Sequence, residues 1–208
     1  MSPRLLLPCL LLALALRPLP ARAQTADPQP QVEKIVAAVG GADQLLKLFQ
    51  VEELYHFGAE PEPPAGKKRS TRTSIIEPPK YWWIGTKERA DEPAKYDVWA
   101  WTLGALTDPA SKIEVLPDLT DEDQAAFGLR VSGSITPAMD LYFHKETHLL
   151  LRLDWRSDFY RFSEWRTLDG LKYSARTVIF KKATGKPWFF HDITKLERLP
   201  ELPANLQR

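Results

Sequence analysis

From Phe127 to Leu199, apolar and polar residues alternate in run after run, and turn-forming residues close each run. This pattern constrains the fold more than any other feature of the chain. A period of two puts every second side chain on one face of a strand, and it scatters the same residues around a helix. The runs are 127–135, 139–144, 148–156, 159–168, 171–182 and 187–199. Between them stand Thr136-Pro137, Lys145-Glu146-Thr147, Asp169-Gly170 and the stretch Lys182 to Lys186. Hairpin spacing of this kind predicts antiparallel neighbours.

The upstream half adds a few elements. Val32, Ile35, Val36 and Val39 have helical spacing, which Gly40-Gly41 ends, and Ala42 to Leu48 reads as a second short helix. The period then changes to two: Val51, Glu53, Tyr55 and Phe57 share one face of a first strand. Further strands are expected at Lys67 to Ile76 and Tyr81 to Ile84. In Tyr96 to Leu103 the same period places Trp99, Trp101 and Leu103 together. Residues 104–126 hold Asp108-Pro109, Pro117 and the acidic run Asp118 to Asp123, and read as a long connection, a candidate lid. The order is helix, helix, then about nine or ten strands. No long helices lie between strands, which excludes a βαβ fold.

The first residues carry a different signal. Arg4 precedes the apolar run Leu5 to Leu16, and Ala21-Arg22-Ala23 supplies a small-x-small cleavage site. This is the pattern of an export signal. The run is shorter than the roughly 20 residues of a membrane-crossing helix. Cleavage is expected after Ala23, with a second site after Ala26, so that 1–23 is a leader, 24–30 a polar lead-in and 31–208 one domain. The only cysteine, Cys9, lies in the leader. An exported chain without disulfides points to a bacterial periplasm or to secretion. The formal net charge of +1 turns slightly negative once Arg4, Arg17 and Arg22 are removed, which argues against nucleic acid as a partner.

Chemistry-bearing motifs are sparse. There is no GxSxG, P-loop or GxGxxG. His144 and His148 stand four apart, as half of a metal site would. A helix through them would drive Arg152, Asp154 and Arg156 across its own apolar side, so two strands with a turn at Lys145 to Thr147 are favoured. A zinc site also needs a third ligand, and His56 and His191 fall on distant strands. Ser132-Gly133-Ser134 reads as a bend or a close backbone approach. Asp118, Asp121, Glu122 and Asp123 read as a solvated acidic loop. The carboxylates Asp154, Asp158 and Glu164 suit a glycosidic pair less well than an ordinary sheet surface.

Aromatic residues carry more. Seven tryptophans, six tyrosines and nine phenylalanines all fall after the leader, many in clusters such as Tyr81-Trp82-Trp83 and Trp188-Phe189-Phe190. A single sheet with two short helices covers one face only by curling around something. Two readings stand: a core filled by bulky rings, or a hollow lined by rings that holds an apolar ligand.

Four stretches together resemble a known family: "VEKIVAAVGGADQLLKLFQVEELYHFG" (32–58), "MDLYFHKETHLLLRLDWR" (139–156), "EWRTLDGLKYSARTVIF" (164–180) and "DITKLERLPELPANL" (192–206). In element order they are similar to exported proteins of the outer-membrane lipoprotein-sorting type, the LolA/LolB-like superfamily. The resemblance spans most of 31–206 and is poorest over 60–126. It implies an α+β fold, an antiparallel sheet curled into an incomplete β-barrel around short helices. It also implies an apolar hollow for lipids or lipoprotein acyl chains, no catalytic residues and no cofactor. The expected protein is a non-enzymatic periplasmic carrier, with Trp82, Trp99, Trp101 and Trp155 lining the hollow. The alternatives are an envelope protein-interaction or sensing domain that captures its partner through the rim or 104–126, and, further off, a metal-dependent hydrolase at His144 and His148.

Overall fold

A computed structural model describes residues 27–208; the expected leader and the first residues of the lead-in lie outside them. Helix α1 (Gln29–Ala38) turns Val32 and Ile35 into the core. Gly40 and Gly41, at φ 115° and 101°, end it. A side chain at Gly40 would place its Cβ 2.3 Å from the Gly170 carbonyl oxygen, so the chain passes there only as glycine. The expected second helix shrinks to a 3₁₀ turn, Ala42–Gln44, because Leu46 and Phe49 are both drawn into the core as the chain runs into strand.

The strands are β1 (Phe49–Phe57), β2 (Ser70–Glu77), β3 (Tyr81–Ile84), β4 (Lys87–Glu88), β5 (Lys112–Asp121), β6 (Gln124–Ser132), β7 (Met139–His144), β8 (Leu150–Trp155), β9 (Asp158–Leu168), β10 (Leu171–Lys181) and β11 (Pro187–Arg198). Between β4 and β5 lie α2 (Glu92–Trp101) and α3 (Gly104–Thr107). Among the described residues the eleven strands form one antiparallel sheet, in the order β4-β3-β2-β1-β11-β10-β9-β8-β7-β6-β5. Two meanders therefore meet where the first strand pairs with the last, Phe49 opposite Arg198 and Phe57 opposite Phe189. The edges, β4 and β5, do not pair with each other, so the sheet stays open.

Its curl follows from what it encloses. Trp82 on β3 and Tyr160 on β9 are five places apart in the strand order, roughly 24 Å in a flat sheet, yet both line one hollow. Helices lie against the same face, and Ile35, Trp99 and Leu106 join strand residues such as Leu129, Leu141 and Leu153 in one core.

Three expectations are corrected. Tyr96 to Leu103 is mostly helix, not strand: Asp91 accepts a hydrogen bond from the Ala94 amide at the helix start, and Pro93 sits in the first turn. Residues two apart on a helix point to nearly opposite sides, so Trp99 and Trp101 cannot share a face. Second, 104–126 is no flexible lid. It forms α3, all of β5 and the start of β6, and Asp121 pairs with Gln124 across Glu122-Asp123, both at positive φ. That is a tight two-residue hairpin turn of the primed kind. Asp118, Glu122 and Asp123 are exposed, as expected of a solvated acidic run, but Asp121 is 5% exposed and held by Arg152 and Arg161. Third, strict alternation over 148–156 predicts Leu149, Leu151, Leu153 and Trp155 on one face, but the register of β7 and β8 shifts so that Phe143 faces Leu150. This puts Leu150, instead of Leu151, in the core with Leu153 and Trp155.

The hairpin at Lys145 to Thr147 is present. His144 Nδ1 accepts from the amides of Glu146 and Thr147, and His148, at φ 57°, packs its ring 5.7 Å from that of Phe127. The two histidines finish a turn. Among the described residues no group of three or more His, Cys, Asp or Glu side chains is placed to hold a metal. Gly133 is a close approach, where a Cβ would lie 2.8 Å from the Ala110 carbonyl oxygen. No described helix is long and apolar enough to cross a membrane.

Candidate functional site

The period-2 face of β1 that carries Val51, Glu53, Tyr55 and Phe57, together with Phe49, forms one wall of a hollow of about 390 Å3. Strands β9 to β11 supply Tyr160, Phe162, Ile179, Phe189 and Ile193. Trp82 of β3 closes one side, and α2 lies across the opening with Pro93, Ala94, Val98 and Trp101. The volume is within the range of roughly 300–1,000 Å3 usual for small-ligand sites, and so is the lining, apolar with a few polar groups.

Of the four tryptophans expected here, Trp82 and Trp101 line the hollow. Trp99 and Trp155 lie elsewhere in the packed core, 7% and 2% exposed. Trp99 lies so close to Gly104 that a Cβ there would be 2.4 Å from the indole. Trp155 donates its Nε1–H to the Pro137 carbonyl at 2.7 Å. The helical turn of α2 is what separates Trp99 from Trp101.

The polar lining was not foreseen. Glu53, 4% exposed, accepts from Arg72 Nε at 2.6 Å and Arg72 Nη2 at 3.1 Å, and lies 2.5 Å from His191 Nε2. Burial alone would raise its pKa, but the hydrogen bonds and charges of His191 and Arg72 outweigh burial and bring it down to about 2. Glu53 could have been noticed as the one acid in the apolar series Phe49, Val51, Tyr55, Phe57. Its partners come from strands that only the fold brings together.

At the α2 side, Tyr160 donates its hydroxyl to Asp97 Oδ2 at 2.5 Å, and Asp97 Oδ1 is buried with no hydrogen-bond partner. Burial drives the Asp97 carboxyl up to about 7, the charges of Asp91 and Asp158 add to this, and the Tyr160 bond and Arg156 only partly oppose it. The indole Nε1–H groups of Trp82 and Trp188, both in the lining, also lack partners. Arg72 and Arg89 stack over Trp82 at 5.0 and 4.6 Å. At the end formed by β1 and β11, Phe57 is 66% exposed and stacks on Trp188.

No family model matches the sequence, and no curated protein matches it. Solved structures do share its fold. A LolA-superfamily protein from Nitrosomonas europaea superposes with a TM-score of 0.50 at 10% identity, covering 83% of this chain and 94% of that one. An outer-membrane lipoprotein-sorting protein domain from Vibrio parahaemolyticus gives 0.52 at 10% identity, covering 85% and 94%. A DUF1329 family protein from Desulfovibrio piger gives 0.50 at 12% identity, covering 85% and 95%. At these identities the likeness is one of architecture: an open antiparallel sheet curled around a few helices, as the sequence resemblance implied.

Proposed function

We propose that this LolA-like chain is an exported, non-enzymatic carrier that holds a lipid or acyl chain in the hollow between β1, β9–β11 and α2. The observation that carries the reading is the unfilled space. The hollow of about 390 Å3 is walled mainly by rings and aliphatic side chains that the chain's own core does not fill. Apolar surface exposed in such a space costs about 25 cal/mol per Å2, which an apolar ligand recovers on entering. Trp82 and Trp101 are the proposed ring contacts, and residues 31–208 the binding domain once 1–23 is removed in the periplasm. The name of the Vibrio protein, a lipoprotein-sorting domain, supports an acyl chain as the class of ligand. A partner captured by a mobile 104–126 segment is not supported, because most of that segment is paired strand.

The test is native mass spectrometry of the purified protein beside a Val98→Trp variant, which places an indole in the hollow. The expected result is a co-purifying lipid-sized mass that the variant loses. Protein that leaves the envelope empty, and whose tryptophan emission does not respond to added alkyl chains, would overturn the reading.

A further inference from the structure

The hollow's charged groups follow a rule with one exception. Glu53 is paired with Arg72 and His191. Arg89 is paired with Asp91. Lys181 Nζ lies 2.8 Å from Asp158 Oδ1, a charge pair without hydrogen-bond geometry. Among the carboxylates, arginines and histidine that line the space, Asp97 alone lacks an opposite charge within ion-pair distance. Its only polar partner is the neutral Tyr160 hydroxyl, on Oδ2, and Oδ1 is buried and unused. Arg156, whose charge acts on Asp97 without reaching ion-pair distance, lies over the Trp155 ring at 4.2 Å.

We infer that the Asp97 end of the hollow is a receptor for an ammonium group, so that the ligand is an amphiphile joining an apolar tail to a primary amine. This rests on the carrier reading and names the head group that reading leaves open. An alkylammonium would bring the missing cation to Asp97 Oδ1 while its tail lies along Val98, Trp101 and Phe162, residues of the same lining. A buried carboxylate without a counter-charge is costly, and a paired one much less so. A carboxylate or phosphate head would instead meet Asp91, Asp97 and Asp158 at close range, and like charges repel.

The groups that face Asp97 are Asp91 at the start of α2, Arg156 in the β8–β9 turn, and Asp158 and Tyr160 on β9. Lys181 of β10 is taken by Asp158, and Glu53, Arg72 and His191 are tied to one another elsewhere in the lining. Asp97 is therefore the group through which binding of an amine would depend on pH near neutrality. It must be ionised to bind an ammonium, so affinity rises as pH passes about 7.

The experiment titrates dodecylamine, dodecanol and dodecanoate into the purified protein and follows tryptophan emission. At pH 8 dodecylamine is expected to bind at least tenfold more tightly than the other two, and to lose about tenfold by pH 5.5 while dodecanol does not change. In Asp97→Asn the amine's advantage disappears. The pH series on the unaltered protein keeps the test valid should that variant fold poorly. Equal affinities, or a preference for dodecanoate, overturn the inference and leave the carrier reading standing. No response to any of the three overturns the carrier reading and the inference with it.

Discussion

One face of the sheet carries two regions packed in opposite ways. Where Ile35 of α1 meets Phe143 of β7 and Leu150 of β8, all three are at most 2% exposed and the void is about 20 Å3, with Leu129, Leu141 and Leu153 fully buried in the same core. Where α2 lies over β1 and β9–β11, about 390 Å3 stays open. Both walls carry rings and aliphatic side chains, and the open one adds charged groups such as Glu53, Arg72 and Asp97. The difference is in the covering element. Helix α1 presses aliphatic side chains into its groove, whereas α2 offers Pro93, Ala94 and Val98, which are short, beside a single large ring, Trp101. The chain is close-packed in one region and leaves open space in the other.

The contrast is sharpest in truncations. Leu153→Ala is expected to cost about 3–5 kcal/mol, the price of a cavity in a close-packed core. Ile179→Ala, in the hollow's wall, is expected to cost about 1 kcal/mol, because space already exists beside it. Urea unfolding of both variants decides, and equal losses would erase the distinction between the regions.

A smaller effect comes from the charges within the open region. Arg72→Met leaves Glu53 with His191 and the Ser74 hydroxyl and is expected to cost about 3 kcal/mol at pH 7. Glu53 is depressed from 4.5 to about 2, so the stability it contributes is present above pH 4.5 and is lost as pH falls toward 2. The acid limb of the stability curve should therefore flatten in the variant.

Asp97 works in the opposite direction. Its pKa is raised from 3.8 to about 7, so its contribution is intact below pH 3.8 and is lost as pH rises through 7. Asp97→Asn should match the parent at pH 4 and exceed it at pH 8 by on the order of 1–3 kcal/mol, read from paired thermal melts. A variant no more stable at pH 8 would mean that the hollow leaves this carboxylate well solvated.

The smallest expected change lies outside both regions. His148 holds φ 57°, so His148→Gly should stabilise the hairpin by about 0.5–1 kcal/mol. Added zinc should leave the melting temperature of either form unmoved.

Much of the sheet was legible because its strands alternate cleanly. Met139 to His144 has the bounds that alternation predicts, Tyr81 to Ile84 is the short apolar strand expected after Pro78-Pro79, and Asp169-Gly170 turns at φ 48° and 86°. Strand β5 escaped notice because it is an edge: most of its residues are exposed on both faces, and Pro117 falls inside a register shift. Helix α2 escaped because Trp99, Trp101 and Leu103 fit a period of two, while the stronger signal, Asp91 with Pro93, stood upstream of them. Rings marked the hollow's material but not its geometry. Asp97 and Tyr160 are 63 residues apart, and Glu53 and His191 are 138 apart, so no local pattern could join them.

The seam between β1 and β11 has a consequence for how the protein comes into being. Thr194 donates to the Glu52 carbonyl across 142 residues, and the hollow's main wall runs over this junction. Contacts so distant in sequence close slowly, since the intervening loop must first lose its freedom. The hollow is thus among the last parts of the molecule to form. An emerging chain has no such hollow until β11 arrives, so whatever the hollow holds can enter only the finished fold.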